Sequence, residues 1–367
     1  PNVKNGSAVV DSFRYTRYAG ATTIDTPKSA TAKHVRAQVA MWEEDWDCVI
    51  AQTEDILRDT PGMNSAIRAV FKEADARGMD VMGIFHGYKG LIEGRIRQLT
   101  HEDVANVMHK GGTVLRTARS SEFMQDGGFE KALNMLHAYD IDGLIIIGGD
   151  GSYRGAKKLY ENGIMTIGLP GTIDNDMGYT DFTIGFTTAV NTITDEIYKI
   201  RDTMRAHDRV GVVEVMGRNC GDIALWSGVA GGADMIIVPE VPVDWEDCAK
   251  QLVKNKLRGQ LTSIVIIAEG AGRAEDFARF VNEHTDVEAK AIVPGYIQRG
   301  GNPTAFDRVL AARLGQRAVE LLADDIGGRA VGIKDNKIID VSIEEAVEMP
   351  DHFDEKLFHF NSVLARF

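Results

Sequence analysis

Two turns that carry aspartate hold the side chains most able to do chemistry. A strand-like apolar run at residues 144–147 is followed at once by Gly149, Asp150, Gly151 and Ser152. A second run at residues 164–168 leads into PGTIDND, residues 170–176. In an open parallel sheet, the carboxyl ends of neighbouring strands meet at one edge, where ligands bind. We therefore expect the two turns to face a common ligand.

These residue types together predict phosphoryl transfer. Glycines at a strand-to-helix turn let backbone N–H groups approach a phosphate, and a helix beginning near Ser152 adds its positive N-terminus. Asp150 would repel those phosphates unless Mg²⁺ bridged them, since Mg²⁺ is usually held by one or two carboxylates plus phosphate oxygens. Asp174, on the second turn, is placed to accept the proton of an attacking hydroxyl. Two ordinary Gly/Asp turns remain the simpler interpretation of either motif taken alone.

Composition narrows the class of protein. The chain has 367 residues, 44% of them hydrophobic, which predicts two lobes rather than one. A net charge of −13 argues against nucleic acid or an anionic membrane as the main partner. The three cysteines show no metal-ligand spacing, and no apolar run is long enough to span a bilayer. A reducing cytoplasm is the expected location.

Periodicity predicts alternating strands and helices after a weakly patterned arm at residues 1–34. Residues 35–57 show helical spacing, although a short strand at 48–51 or 55–57 is the alternative. Helices are then predicted at residues 60–78, 102–109, 129–139, 153–161, 183–204, 244–257, 277–284 and 309–322. Strands are predicted at residues 79–85, 144–147, 164–168, 210–215 and 262–268. A Gly-Arg turn, a further helix and a further strand are predicted between residues 216 and 238. This alternation is typical of a doubly wound α/β sheet, with a second, smaller α/β lobe after it.

A set of longer motifs supports a specific resemblance. They are DTPGMNSAIRAV at residues 59–70, GYKGL at 87–91, ARSSEF at 118–123, IGGDGS at 147–152, PGTIDND at 170–176, VEVMGRNCGD at 213–222 and IQRGG at 297–301. In order and spacing the chain from Asp59 onward resembles the bacterial-type ATP-dependent phosphofructokinases. PGTIDND and VMGR together are highly specific, whereas GGDG also occurs in lipid and NAD kinases.

The resemblance implies a two-lobed α/β fold of mostly parallel sheets, with the active site between the lobes. Residues 1–45 would form an atypical arm. Residues 46–185 with 298–348 would form the larger, nucleotide-binding lobe, and residues 186–297 with 349–367 the smaller, sugar-phosphate-binding lobe. The family also implies a homotetramer, with no nucleic-acid or membrane partner.

The implied reaction is transfer of the γ-phosphoryl of ATP to the 1-hydroxyl of fructose 6-phosphate, a step of glycolysis. Asp174 would be the base with Thr172 beside it, and Arg119 and Arg218 would offset developing charge. The implied nucleotide site comprises Tyr88, Arg119, Gly149, Asp150, Gly151, Ser152 and Gly155, with Asp150 organising Mg²⁺. The implied sugar-phosphate site adds Met216, Gly217 and Glu269 around the sugar, and Arg209, Lys290, Tyr296 and Arg299 around its 6-phosphate, some of them from a neighbouring subunit. The implied effector site comprises Arg68, Lys72 and Arg201.

Departures from the family pattern keep two alternatives open. The family has Ser-Gly-Gly before the aspartate that corresponds to Asp59, and this chain does not, so backbone donors to ATP would be lost. A catalytically impaired homologue that binds sugar phosphate or assembles with active subunits is therefore one alternative. The other is a pyrophosphate-dependent enzyme, in which Asp and Lys would be usual at the positions of Gly151 and Gly171. Both glycines favour ATP.

Overall fold

The computed structural model describes residues 48–52 and 60–365, which contain two β-sheets. Seven strands form the larger sheet in the order β11-β10-β5-β4-β1-β2-β3, and four form the smaller sheet in the order β7-β8-β6-β9. The strands are β1 (Cys48–Gln52), β2 (Val81–Ile84), β3 (Ile96–Gln98), β4 (Gly143–Gly148), β5 (Met165–Pro170), β6 (Val210–Val215), β7 (Met235–Ile237), β8 (Ser263–Ala268), β9 (Ala289–Ile292), β10 (Arg329–Lys334) and β11 (Lys337–Ser342). All pairings are parallel except those of the edge strands β3 and β11, as expected for a doubly wound fold.

Helices cover both faces of each sheet. They are α1 (Met63–Ala76), α2 (Gly87–Ile92), α3 (Asp126–Ala138), α4 (Asp150–Glu161), α5 (Phe186–Arg205), α6 (Asp222–Gly231), α7 (Trp245–Leu257), α8 (Ala274–His284), α9 (Ala305–Ala323), α10 (Ile343–Glu348) and α11 (Glu355–Leu364). Short 3₁₀ helices lie at Glu122–Met124 and Gly295–Arg299.

Strand β4 shows why the central strands consist of consecutive apolar residues. Ile145 and Ile147 pack into the core that α1 and α9 cover, whereas Leu144 and Ile146 pack into the opposite core with α3 and α4. All four side chains are fully buried, so neither face tolerates a polar residue. The smaller sheet repeats this arrangement between α5 and α6 on one face and α7 and α8 on the other.

The two sheets occupy different parts of the chain. Strands of the larger sheet lie within residues 46–185 and 298–348, and those of the smaller sheet within residues 186–297. The exact lobe boundaries stay a prediction. Buried Asp307, on α9, accepts hydrogen bonds from the Gly185 and Thr188 amides at the start of α5. These bonds join the helix that precedes the smaller sheet to the core of the larger one.

The helix predicted across residues 35–57 is wrong, because residues 48–52 form strand β1; the alternative strand at 48–51 is confirmed. β1 pairs in parallel with both β4 and β2, and ladder hydrogen bonds on two sides outweigh a local helical pattern. The alternative at residues 55–57 and the arm at 1–34 lie outside the described residues. The first strand is therefore present in the centre of the sheet.

The helix predicted at residues 102–109 is also wrong, since this segment is a series of turns. Asn106 has a left-handed φ of 53°, which interrupts helical geometry. Asp103 accepts a hydrogen bond from the Thr100 amide and pairs with Arg97, which tightens the first turn. Val104 and Val107 are nevertheless buried against the core beneath α1, so their apolar spacing reflects packing without a helix. Sequence patterning also missed α2, α10 and α11, the edge strands β3, β9 and β11, and the internal strand β10.

Across residues 48–52 and 60–365, no helix combines the length and the apolar character required to cross a bilayer.

Candidate active site

The two predicted turns lie side by side at the carboxyl edge of the larger sheet. β4 and β5 are parallel neighbours whose last paired residues are Gly148 and Pro170. The Gly171 amide donates to the Gly148 carbonyl at 3.0 Å, which joins the turns directly. A Cβ placed on Gly149 would lie 3.6 Å from the Thr172 Cβ, so the start of α4 and the PGTIDND turn are in close contact.

The start of α4 presents the groups expected of a phosphate site. Gly149 precedes the helix, and Asp150 is its first residue. The Asp150 carboxylate pairs with Arg154 one turn later at 3.0 Å, and both side chains are partly exposed. The Ser152 hydroxyl is buried, and within the described residues it has no hydrogen-bond partner. Free backbone N–H groups and the helix dipole make this end of α4 suitable for an anion.

Tyr88 is held rigidly behind that helix. Its ring stacks on Phe123 with centroids 3.9 Å apart and planes 6° apart, and its hydroxyl donates to the Ser152 carbonyl at 2.7 Å. Gly155 also lies against the ring, since a Cβ there would be 2.4 Å from Tyr88 Cε2. The structure thus shows Tyr88 fixing the position of α4. Phe123 was missed as a site residue, although it ends the ARSSEF motif.

Asp174 and Thr172 are buried in the PGTIDND turn, with exposures of 1% and 0%. The Asp174 amide donates to Thr172 Oγ1 at 3.2 Å, so the threonine side chain shapes the backbone of the turn. Thr183 Oγ1 donates to the Thr172 carbonyl at 2.6 Å. These contacts leave the Asp174 carboxylate on a turn with little freedom to move.

The loop between β6 and α6 is clamped by a carboxylate and an amide. Both the Gly217 and the Arg218 backbone N–H groups donate to Glu269 Oε1, at 3.2 and 2.9 Å. The Met216 amide donates to the Oε1 atom of buried Gln298 at 2.9 Å. Arg218 has a left-handed φ of 55°, which these bonds stabilise. The structure therefore brings together Met216, Gly217, Arg218 and Glu269 as expected, and adds Gln298, which the IQRGG motif contained.

The predicted phosphate clamp falls into two groups. Arg209 Nε and Lys290 Nζ both pair with Glu288 Oε1, at 2.9 and 3.2 Å, where β6 adjoins the edge strand β9. The Arg209 and Lys290 charges lower the pKa of the exposed Glu288 carboxyl. Tyr296 is 78% exposed, and the Arg299 guanidinium lies 5.4 Å from its ring centroid. No sequence motif marked Glu288, because its contact with Arg209 depends on the parallel pairing of β6 with β9, which are distant in the chain.

The remaining predicted residues are more dispersed. Arg119 is exposed on the segment between β3 and α3. Of the predicted effector residues, Arg68 and Lys72 lie on α1, where Lys72 Nζ is 2.5 Å from His101 Nδ1. Arg201 lies on α5 and donates to the Gly231 carbonyl at 2.9 Å.

Comparison with known proteins gives this geometry a family. The phosphofructokinase family model matches residues 58–322. The chain is 52% identical over 307 residues to the ATP-dependent 6-phosphofructokinase of Alkaliphilus metalliredigens, which covers 84% of this chain and 96% of that protein. It is also similar to the solved phosphofructokinase of Saccharomyces cerevisiae, with a TM-score of 0.77 and 30% identity over 88% of this chain and 48% of the yeast chain. The chain thus spans about half the length of that yeast protein.

A solved pyrophosphate-dependent phosphofructokinase from Marinobacter aquaeolei shares the fold, with a TM-score of 0.75 at 21% identity over 86% of this chain and 88% of that one. The fold therefore does not distinguish the phosphoryl donor. The matched family model and the closely similar relative, taken with the paired turns and the clamped VMGR loop, show that the chain belongs to the phosphofructokinase family.

Proposed function

We propose that this chain is an ATP-dependent 6-phosphofructokinase of glycolysis, which converts fructose 6-phosphate and ATP to fructose 1,6-bisphosphate and ADP. The observation that carries the proposal is the register of β4 and β5, which sets the start of α4 beside the Asp174 turn. The first element is suited to the phosphates of the nucleotide, and the second to the hydroxyl that attacks them. Similarity to an ATP-dependent relative at 52% identity supports the same reaction.

In this reaction the 1-hydroxyl oxygen bonds to the γ-phosphorus as the bond to the β-phosphate oxygen breaks. Asp174 accepts the hydroxyl proton, and Thr172 holds the backbone of the base. Arg119 and Arg218 offset charge on the transferring group, since guanidinium groups stay protonated. Met216, Gly217 and Glu269 hold the sugar. Gly149, Gly151, Ser152 and Gly155 line the nucleotide, with Tyr88 behind them.

The residues at the start of α4 fit Mg²⁺. Asp150 offers a partly exposed carboxylate that pairs with Arg154 one turn away. An exposed pair of this kind is worth about 0–1 kcal/mol, so a cation can replace the arginine at little cost. Mg²⁺ is usually held by one or two carboxylates together with phosphate oxygens, which matches this donor set. When bound, Mg²⁺ neutralises charge on the phosphates.

The 6-phosphate is assigned to Arg209, Lys290, Tyr296 and Arg299. The Glu288 carboxylate pairs with both Arg209 and Lys290, so a bound phosphate would displace it or compete with it. The strong exposure of Tyr296 supports the expectation that a neighbouring subunit completes the clamp in a homotetramer. Light scattering of the purified chain tests the assembly; a monomer that retains full turnover would contradict it.

ATP is favoured over pyrophosphate as the donor. Gly151 and Gly171 stand where the pyrophosphate-dependent pattern has Asp and Lys. A Cβ on Gly171 would lie 2.8 Å from Ile147 Cγ2 and 3.2 Å from the Gly148 amide, so a lysine here requires the strand end to shift. Close packing alone can therefore explain why residue 171 is glycine. The preference for ATP rests on Gly151 and on similarity to an ATP-dependent relative.

The impaired homologue is the second candidate, because the Ser-Gly-Gly segment before Asp59 is absent from the sequence. Strand β1 is in place, so the sheet itself is not interrupted. The segment between β1 and Thr60 lies outside the described residues. We favour the active enzyme because Asp150, Asp174 and Arg218 are all retained.

A coupled assay of the purified chain with fructose 6-phosphate, Mg²⁺ and either ATP or pyrophosphate tests all three possibilities. Turnover with ATP alone supports the proposal. Turnover only after Ser-Gly-Gly is inserted between Arg58 and Asp59 would indicate the impaired homologue, and turnover with pyrophosphate alone would indicate the other donor. The cytoplasm is the proposed location, since glycolytic substrates are found there and Cys220 and Cys248 are free thiols.

Arg68, Lys72 and Arg201 are proposed to bind an anionic effector. Lys72 contacts His101, which stands where the family usually has arginine. Titration of the assay with phosphoenolpyruvate or a nucleoside diphosphate tests this assignment, and a Lys72→Ala variant with an unchanged response would refute it.

A further inference from the structure

A buried chain of polar side chains connects the two catalytic loops. Asp222, the first residue of α6, is 5% exposed, and its Oδ2 accepts a hydrogen bond from Asn175 Nδ2 at 2.8 Å. Asn175 Oδ1 in turn accepts from the Thr183 amide at 2.9 Å. Thr183 Oγ1 continues the chain to the Thr172 carbonyl. Every member is buried, so water cannot easily replace a lost bond.

Two members of this chain lie close in sequence to the reacting groups. Asn175 directly follows Asp174, and Asp222 follows Arg218 by four positions. Asn175 also has a left-handed φ of 57°, a conformation that asparagine tolerates better than most residues but that still needs support. Its side chain supplies that support through its bonds to Asp222 and Thr183.

We propose that Asp222 is a positioning residue, which holds Asp174 through Asn175 and fixes it relative to the loop that carries Arg218. The proposal rests on the proposed phosphoryl transfer. Asp222 touches neither substrate nor reacting atoms in this role. It acts by keeping the general base of one loop and the charged group of the other in a single geometry, on which the rate of transfer depends steeply.

The surroundings of Asp222 show that a hydrogen bond, rather than a charge, makes this connection. Burial, with smaller contributions from the carboxylates of Asp351, Glu240 and Asp354, raises the pKa of Asp222 to about 7, even though the hydrogen bond from Asn175 lowers it. Burial also raises the pKa of the Cys220 thiol, which lies beside Glu240 and Asp351. Protonated and ionised Asp222 both offer an acceptor to Asn175 Nδ2. An uncharged amide of the same shape should therefore serve as well.

The test compares Asp222→Ala with Asp222→Asn, each measured for kcat, for the KM of both substrates and for hydrogen exchange of the Thr183 amide. We expect Asp222→Ala to lower kcat by about tenfold or more and to speed exchange at Thr183. We expect Asp222→Asn to keep kcat within about threefold of the parent and to preserve the slow exchange, because its side-chain oxygen can accept from Asn175. A purely structural role would lower the thermal stability of Asp222→Ala and leave its kcat close to that of the parent.

A second variant covers the case in which Asp222→Ala does not fold. Asn175→Gly keeps the left-handed backbone accessible and removes only the side-chain bonds, and we expect it to lose kcat as Asp222→Ala does. Full turnover in Asn175→Gly, or equal loss in Asp222→Asn and Asp222→Ala, would overturn the proposal. If the parent chain shows no turnover with ATP or pyrophosphate, the proposed function fails, and hydrogen exchange at Thr183 in the same variants still decides the positioning role.

Discussion

Gly155→Ala is the substitution that most directly tests how the nucleotide helix is held. The new methyl group would lie 2.4 Å from Tyr88 Cε2 and 2.5 Å from its hydroxyl oxygen. Tyr88 cannot retreat, because Phe123 stacks on it with ring centroids 3.9 Å apart. Either α4 moves outward or the tyrosine ring leaves its place, and both outcomes strain the hydrogen bond to the Ser152 carbonyl.

The size of the effect follows from opposing contributions. Inserting a methyl group into a packed site costs about 1–3 kcal/mol. Weakening the Tyr88–Ser152 hydrogen bond adds about 1 kcal/mol. Alanine recovers about 1 kcal/mol because it favours the helix over glycine. We therefore expect the free energy of unfolding to fall by about 1–3 kcal/mol. We also expect the KM for ATP to rise about threefold or more, because the start of α4 is displaced.

The matched control is Gly127→Ala, another glycine within a helix, where an added Cβ meets nothing within 4 Å. It should leave the KM for ATP unchanged and raise the free energy of unfolding by up to about 1 kcal/mol. Urea denaturation of both variants and the parent measures the difference. If Gly155→Ala were as stable as Gly127→Ala and bound ATP normally, the inference that Tyr88 fixes α4 would be wrong.

Three further predictions concern charged groups. Asp174→Ser should lose about 10²–10⁴ of kcat while sugar-phosphate binding, followed by calorimetry, survives; near-normal turnover would refute the base role. The Asp222 pKa is raised from 3.8 to about 7 in the folded state, so the native chain binds more protons between these values and its stability falls as pH rises through that window. Asp222→Asn should remove this loss in the free energy of unfolding, which amounts to up to about 4 kcal/mol. If urea unfolding of Asp222→Asn showed the same dependence on pH as the parent, this prediction would be wrong. Glu288→Gln frees Arg209 and Lys290, so the KM for fructose 6-phosphate should fall. The fall should be up to about fivefold, which corresponds to the free energy of an exposed ion pair. A rise in KM would exclude competition between Glu288 and the phosphate.

Strands and helices that depend mainly on residues adjacent in the chain were predictable from the sequence. The strand predicted at residues 210–215 is β6 as observed, because a segment rich in valine suits a mostly buried strand. The helix predicted at residues 244–257 begins one residue later, and Asp244 caps it by accepting from the Glu246 amide. The adjacency of the GGDG and PGTIDND turns also followed from the sequence, since consecutive parallel strands usually pair.

Failures of prediction occur where distant chain segments decide the outcome. Residues 48–52 become a strand because β4 and β2 supply ladder partners on both sides, which no local periodicity reveals. Apolar spacing at Val104 and Val107 suggested a helix, yet left-handed Asn106 and the core beneath α1 produce buried turns.

By itself the sequence determined the chemistry available to this protein: the carboxylates, glycines and cations, and the order in which they follow strands. Only the tertiary structure decided their partners. Glu288 joins Arg209 to Lys290 because β6 pairs with β9, and Asn175 reaches Asp222 because the PGTIDND turn meets the start of α6. The physical reason is that such contacts depend on strand order and helix placement, which arise from burying two sheets and not from the residues adjacent in the chain.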